Sequence, residues 1–423
     1  MPTRPEDVRP DVAIDVDHHS VEFNLDEVAA TAAVRQRCPV AYDTRYGGFW
    51  FVTGYDEVAT VAREVATFAH KYEPEADDGV CYIGDIGIPR PPELPALGVS
   101  EVDGPYHLEL RRALNPLFSP PAVERQREFM ERAADWFVDQ HIERGAMDLV
   151  LDFTSTVPAV LTLRMLGLPC EDWRYYTDFF HSTKVHPTSS EEHDRAAALI
   201  PVILDGLAEL AAQRRAAPTD DLCSFLVRLE VDGSPLSDEQ VLAILWNLVS
   251  GGLDTTTALT SWTLHHLAGH PEVRQLLIDR PDLHAPATEE YLRYYSINQT
   301  LARTVARDVE LGGQQLRRGD PLLVSWLGAN HDPAQFDRPD EVVVDRADNR
   351  HLAFGLGPHR CIGSHLARTM FRVMLGTVLR RIPDYAVDPD GVREYLGNPA
   401  MTGLLTMPAT FTPGPVVGVE RPF

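Results

Sequence analysis

Residues 354–363 read Phe-Gly-Leu-Gly-Pro-His-Arg-Cys-Ile-Gly, setting a single cysteine, Cys361, in a glycine-rich loop just ahead of an apolar helical pattern (Ile362, Leu366, Met370, Val373). A thiolate needs donors around it. Gly355, Gly357 and Gly363 let backbone N–H groups turn toward the sulfur, and a helix start adds the positive end of its dipole. One cysteine suits haem iron, whose thiolate bond favours O–O cleavage, whereas zinc wants several Cys and His ligands at close spacing. Cys38, Cys81, Cys170 and Cys223 are scattered, which fits reduced thiols. The competing reading of Cys361 is a buried structural cysteine.

A second constellation sits in a long helical pattern from Glu239 to about His266, opened by the capped start Leu236-Ser237-Asp238-Glu239-Gln240. Its middle, Ser250-Gly251-Gly252-Leu253-Asp254-Thr255-Thr256-Thr257, is poor helix interior, and such a cost marks a functional distortion. With a flat cofactor against this face, Gly251 and Gly252 give it room. A locally opened hydrogen bond then leaves space for O2 and water, and Asp254 and Thr255 form a proton relay. The plainer alternative is a Thr255 hydroxyl bonded back to its own helix. Upstream, Pro105 starts a helix with Asp103 near its N-cap. His107 and Arg111 share a face of that helix, and two cationic donors so placed suit carboxylates such as haem propionates. Glu290 and Arg293 likewise share a helical face.

These segments resemble the cytochromes P450. Phe354 to Gly363 match every fixed position of that family's haem-ligand signature, Phe-Gly-x-Gly-x-His-x-Cys-x-Gly, and Leu366-Ala367-Arg368 continue it. Gly251 to Thr255 are similar to its Ala/Gly-Gly-x-Asp/Glu-Thr motif. Residues 103–111 resemble Asp-Pro-Pro-x-His-x-x-x-Arg, with Gly104 in place of the first proline, and Glu290-x-x-Arg293 falls in family order. The resemblance runs from about Pro39 to Pro408. It implies haem b on Cys361, propionates held by His107, Arg111, Arg303 and His359, and Phe354 shielding the thiolate. Glu290, Arg293 and Arg346 would pin the haem loop, and Asn247 and Ser250 would face the distal pocket.

The implied fold is a mainly α (α+β) cytochrome P450 fold, a helix-rich haem-binding part with a smaller β-rich part. Residues 1–423 would form one domain, with 1–38 an N-terminal extension and first helix. The implied activity is monooxygenation of a small lipophilic substrate, with O2 as co-substrate. With no reductase domain in the sequence, electrons would come from NAD(P)H through a separate ferredoxin and ferredoxin reductase. A peroxide-driven peroxygenase and a non-catalytic haem sensor or carrier are the rivals; an intact Asp254–Thr255 pair speaks against the first.

The elements that must position these groups are legible in outline. Val28–Arg37 is helical, Phe49 to Thr53 read as a strand and Tyr55 to Phe68 as a helix. Residues 70–103 are Pro-rich and aperiodic, as a binding loop or lid would be. In the family the matching segment covers the substrate side, so Tyr82, Ile83, Ile86, Ile88 and Leu97 are expected to face a substrate. Residues 122–230 read as amphipathic helices broken at 167–169 and around Pro187, with Tyr175, Tyr176, Phe179 and Phe180 able to roof a pocket. Gly312-Gly313 mark a hairpin and Pro321 to Trp326 a strand. By resemblance Leu301 lines the pocket, and a turn from Met401 to Leu405, including Leu404, dips into it.

The 423 residues are 44% hydrophobic and 24% charged, ordinary for a chain that buries a large core. A formal charge of −25 argues against nucleic acid and an anionic membrane surface as partners. Residues 1–30 are polar and acidic without an apolar run, so a soluble, cytoplasmic protein is expected. Arginines cluster around the cysteine loop: Arg346, Arg350, Arg360, Arg368, Arg372, Arg380 and Arg381. With Arg112, the subset Arg360, Arg368 and Arg372 would suit docking of an acidic ferredoxin; a solvated face paired to acids is the alternative.

Overall fold

The structure is a computed structural model that describes all residues except 1, 2, 4–7, 9, 10, 186–189 and 396–399. The break expected around Pro187 lies outside the described residues. Short apolar and aromatic runs build a six-stranded mixed sheet from β1 (Ala13–Ile14), β2 (Val40–Asp43), β3 (Phe49–Val52), β4 (Phe68–Ala69), β5 (Thr300–Val305) and β6 (Pro321–Ser325), in the order β1-β2-β3-β6-β5-β4. β3 runs parallel to β6, pairing Trp50 with Leu322 and Val52 with Val324. Every residue of β3 is buried because the sheet is covered on both sides. Strand alternation sends Phe49, Phe51 and Leu323 into one apolar cluster and Trp50, Val52, Leu322 and Val324 into another.

The rest is chiefly helical: α1 (Gly104–Leu114), α2 (Thr156–Leu166), α3 (Trp173–Val185), α4 (Ile200–Ala216), α5 (Asp238–Gly269), α6 (His284–Tyr295) and α7 (Ser364–Arg381). α5 is the axis of this part. It spans 32 residues and opens with a complete capping box between Ser237 and Gln240. Against it lies α2, almost wholly buried and accordingly apolar nearly all round. Gly252 lets the two helices close up, because a Cβ there would sit 2.6 Å from Thr162 Oγ1. The glycine therefore serves helix packing.

The expected opening in the middle of α5 is absent, and α-helix runs unbroken through 250–257. Its hydroxyls turn back on the helix instead. Thr257 Oγ1 donates to Leu253 O (2.7 Å), Thr260 to Thr256 O (2.8 Å) and Thr263 to Leu259 O (2.8 Å). These bonds satisfy hydroxyls that a buried helix would otherwise strand.

Residues 193–216 reach by length and composition alone what a membrane crossing needs, with mean hydropathy 1.5. They are split between two helices around Ala198, and Ile200, Ile203, Leu207, Leu210 and Ala211 are buried in the main core. At the end of α6, Ser296 takes a left-handed conformation (φ 40°) and redirects the chain toward β5.

Candidate active site

Cys361 follows a tight loop in which its own N–H donates to Phe354 O (2.8 Å), and α7 begins three residues later. Gly357 (φ 72°) permits this loop to lie against the chain at Ala62, whose carbonyl would be 2.6 Å from a Cβ. The cysteine is accessible, but to an interior cavity of about 520 Å³. Burial pushes its thiol pKa up; the Gly363 N–H and the Arg111, Arg360 and Arg368 guanidinium groups work against that. A bound cation is the charge that reverses such a balance and deprotonates the thiol.

Across the same cavity runs the middle of α5. Ser250, Gly251, Gly252 and Thr255 line it opposite Cys361, Phe354, Gly355 and Gly363. A Cβ on Gly251 would meet nothing within 4 Å, so the glycine leaves this wall open. Thr255 Oγ1 donates to Gly251 O (3.0 Å), the back-bonded arrangement, and still borders the cavity. Asp254 points elsewhere. It is fully buried, with Oδ1 3.3 Å from His181 Nε2 on α3, and its charge adds to the burial that raises the Tyr395 pKa. No sequence motif marked His181.

The floor carries a cluster of imidazoles and guanidiniums. His359 is sandwiched between His70 (centroids 3.6 Å, planes 8° apart) and His107 (3.8 Å, 5°). Asp103 ties the stack together: Oδ2 accepts the N–H groups of His70 and Lys71 (both 2.8 Å), and Oδ1 lies 3.0 Å from His359 Nε2. That is why Asp103, at the N-cap position of α1, caps nothing. Burial raises the Asp103 pKa, but His359 and the two N–H groups overcome this and hold it below the usual carboxylate value. Burial also lowers His107 to about 3 and Arg303 to about 10.

Both ring nitrogens of His70, Nε2 of His107, Nδ1 of His359 and Nε of Arg303 are buried with no hydrogen-bond partner among the described residues. Unmet polar groups of this kind are costly to bury. Their chemistry fits the two carboxylates of a haem, and the open wall at Gly251 fits its flat ring.

Several expected positions land elsewhere. Tyr82 and Ile83 do not line the cavity. They pair with Tyr72 and Glu73 in a small hairpin, where Tyr82 stacks under Lys71 and donates to Asp78 (2.8 Å). Leu404 is a fully buried strand residue outside the cavity wall, which Met401 reaches instead. Of the expected aromatic roof only Phe180 lines the cavity; Tyr176 and Phe179 are core and Tyr175 is exposed. His107 lies beyond His359 and is not part of the wall, whereas Arg111, Arg303, His359 and His70 are.

Ile86, Ile88, Leu97 and Leu301 do line it. So does Asn247, whose Oδ1 accepts the N–H groups of Val99 and Ser100 (both 3.0 Å) and so ties the 70–103 loop to α5.

The loop's support is a buried charge network. Glu290 and Arg293, both fully buried, are doubly bonded (2.9 and 3.0 Å), and Arg346 Nε reaches Glu290 Oε2 at 2.9 Å. Arg293 also donates to the carbonyls of Asn330, Pro339 and Glu341, and Asn330 Oδ1 in turn receives the Leu352 N–H just ahead of the loop. Most of the arginines clustered around the cysteine are spent in pairs. Arg368 is held by Glu289 (2.6 and 2.7 Å) and packs over Phe354, Arg350 pairs with Asp348, and Arg380 and Arg381 pair with Asp135. Arg112 and Arg360 are exposed.

The chain matches the family model for cytochrome P450 over residues 171–279 and 286–406. It is 31% identical to the polyketide biosynthesis cytochrome P450 PksS of Bacillus subtilis over 93% of this chain and 98% of that one. It is 33% identical to the steroid C26-monooxygenase of Mycobacterium tuberculosis (strain CDC 1551 / Oshkosh) over 77% and 89%. Among solved structures, CYP268A2 of Mycobacterium marinum in complex with pseudoionone superposes with TM-score 0.86 at 28% identity, covering 96% of this chain and 100% of that one. A mutant of P450 EryK in complex with erythromycin B gives 0.82 at 27%, covering 94% and 98%.

The chain therefore belongs to the cytochrome P450 family and has its fold. It is a haem-thiolate monooxygenase with haem b as cofactor and O2 as co-substrate, acting on a small molecule with electrons that come from NAD(P)H through redox partners.

Proposed function

We propose that Cys361 is the thiolate ligand, that Arg111, Arg303 and His359 hold the haem carboxylates with His107 stacked behind His359, and that Thr255 and Asp254 deliver protons to the distal side. The observation that carries this reading is the cavity that sets Cys361 opposite Gly251 and Thr255, with unpartnered His and Arg nitrogens gathered at its floor. When bound, haem supplies the redox chemistry by which one atom of O2 enters a C–H bond and the other leaves as water. The chain supplies the rest. Phe354 borders the sulfur side, Thr255 places a hydroxyl at the distal wall, and Asp254 with His181 lies behind it toward α3. The unbroken helix at Thr255 means that its hydroxyl must leave Gly251 O to donate elsewhere.

Replacing Thr255 with Ala is expected to leave substrate binding and NAD(P)H oxidation in place while product per NAD(P)H falls roughly tenfold. Positioned proton donors contribute about 10²–10⁴-fold, and water entering the vacated space replaces part of that. Coupling equal to that of the parent would remove Thr255 from the mechanism.

The substrate is a lipophilic molecule that also carries polar groups. Leu97, Val99, Met165, Phe180, Trp246 and Leu301 make the wall apolar, while Asp85, Glu93, His193 and Asn247 add polar groups to it. Titrating compounds of this class and watching for a low-spin to high-spin shift of the haem spectrum identifies those that displace water from the site.

Electrons reach the site from a separate acidic ferredoxin and its reductase. Arg112 and Arg360 are the exposed cations near the cysteine loop that suit its docking; Arg368, expected to share this role, is committed to Glu289, and Arg372 is half-buried. Arg360→Glu is expected to weaken ferredoxin binding several-fold at low salt, with the difference vanishing as salt screens the charges. An equal loss at high salt would indicate a damaged fold instead. One domain over residues 1–423, with 1–38 as N-terminal extension and first helix, and a cytoplasmic location complete this reading.

A further inference from the structure

We propose that His70 is an additional donor to the haem carboxylates, a cofactor-positioning residue that no motif marks. This rests on the haem reading above and adds one residue to it.

His70 lies directly after β4, where Asp103 takes its backbone N–H (2.8 Å). Its ring is 2% exposed, stacks face to face on His359 and lines the same cavity as Arg303, Arg111 and Cys361. Neither ring nitrogen has a hydrogen-bond partner among the described residues. Whichever nitrogen carries the hydrogen, a buried N–H has nothing to donate to, which an ordinary core histidine avoids by bonding a carbonyl or a carboxylate.

The polarity of the stack strengthens the assignment. His359 Nε2 faces Asp103 Oδ1 at 3.0 Å, and an ionised carboxylate only accepts, so Nε2 carries the hydrogen. His359 thus already commits one ring nitrogen to Asp103, whereas His70 commits neither. His107 lies on the far side of His359 and outside the cavity wall. Of the stacked rings, His70 alone both borders the cavity and keeps its choice of tautomer. Burial, and after it the Arg303 guanidinium, hold its pKa well below the usual value, and even a neutral ring has one N–H to donate.

The test compares the parent, His70→Phe and His70→Gln, each loaded with haem and, separately, with haem dimethyl ester, whose blocked carboxylates carry no charge. Phe keeps the stacked ring without a donor; Gln restores a donor without the ring. The readouts are the rate of cofactor transfer to excess apomyoglobin and the propionate bands in resonance Raman spectra. Expected is a roughly tenfold faster transfer of haem from His70→Phe, the loss of a hydrogen bond to a charged group, with shifted propionate bands and recovery in His70→Gln. The difference between parent and His70→Phe should shrink to little with the ester.

Unchanged transfer and bands in His70→Phe would overturn the proposal. An equal loss with haem and ester, misfolding included, would do the same, because it shows that the ring only packs. A parent chain that takes up haem without a thiolate-type carbon monoxide spectrum would instead sink the haem-thiolate assignment itself.

Discussion

Replacing Cys361 with Ser is expected to abolish monooxygenation while leaving the fold in place. The side chain loses one heavy-atom identity, keeps its size and faces a cavity rather than packed core, so the stability cost is small. The chemical cost is not. Serine oxygen is hard and remains protonated, and the electron-rich bond that favours O–O cleavage is lost. Loss of a residue that only orients a ligand typically costs about 10–100-fold, and removal of the ligand itself should exceed this. Activity within tenfold of the parent would place the thiolate elsewhere.

The second large effect concerns the pair that supports the loop. Glu290→Gln leaves Arg293 and Arg346 buried beside a neutral amide, and breaking a buried pair from one side costs roughly 3–5 kcal/mol. Chemical denaturation should show that loss, and haem incorporation should fall with it, because Arg293 also carries the carbonyls around 330–341. The acid dependence gives a further sign. Burial raises the Glu290 pKa, but Arg293, Arg346 and the Val343 N–H hold it below the ordinary 4.5. A folded-state pKa below the unfolded one stabilises above the unfolded value, and that stability is lost as pH falls through the folded value. The parent should therefore lose stability below about pH 4.5 more steeply than Glu290→Gln, which has already lost this contribution. Identical acid limbs would show that the carboxylate is not ionised in the folded chain.

The local pattern disclosed what sits within one element. The glycines and cysteine of the loop, the capping box that starts α5, the Gly312-Gly313 hairpin and the paired face of Glu290 and Arg293 all follow from short-range spacing. Contacts between distant segments did not show. His70 carries no periodic signal, and its importance depends on two rings that enter from residues 107 and 359. His181 meets Asp254, and Arg368 meets Glu289, only because helices cross.

Where the sequence misled, a competing contact was the reason. The Gly-rich, β-branched centre of α5 looked like a broken helix, yet Thr162 occupies the space beside Gly252 and the threonines bond back to their own carbonyls. Tyr82 and Ile83 read as apolar groups of a binding loop, but hairpin pairing with Tyr72 and Glu73 turns them away from the cavity.

The most direct measurement is the absorption spectrum of the reduced, unaltered chain under carbon monoxide. A strongly red-shifted, thiolate-type Soret band that disappears in Cys361→Ser is the expected result. A band typical of a histidine-ligated haem, or the same spectrum from parent and variant, would contradict ligation by this cysteine.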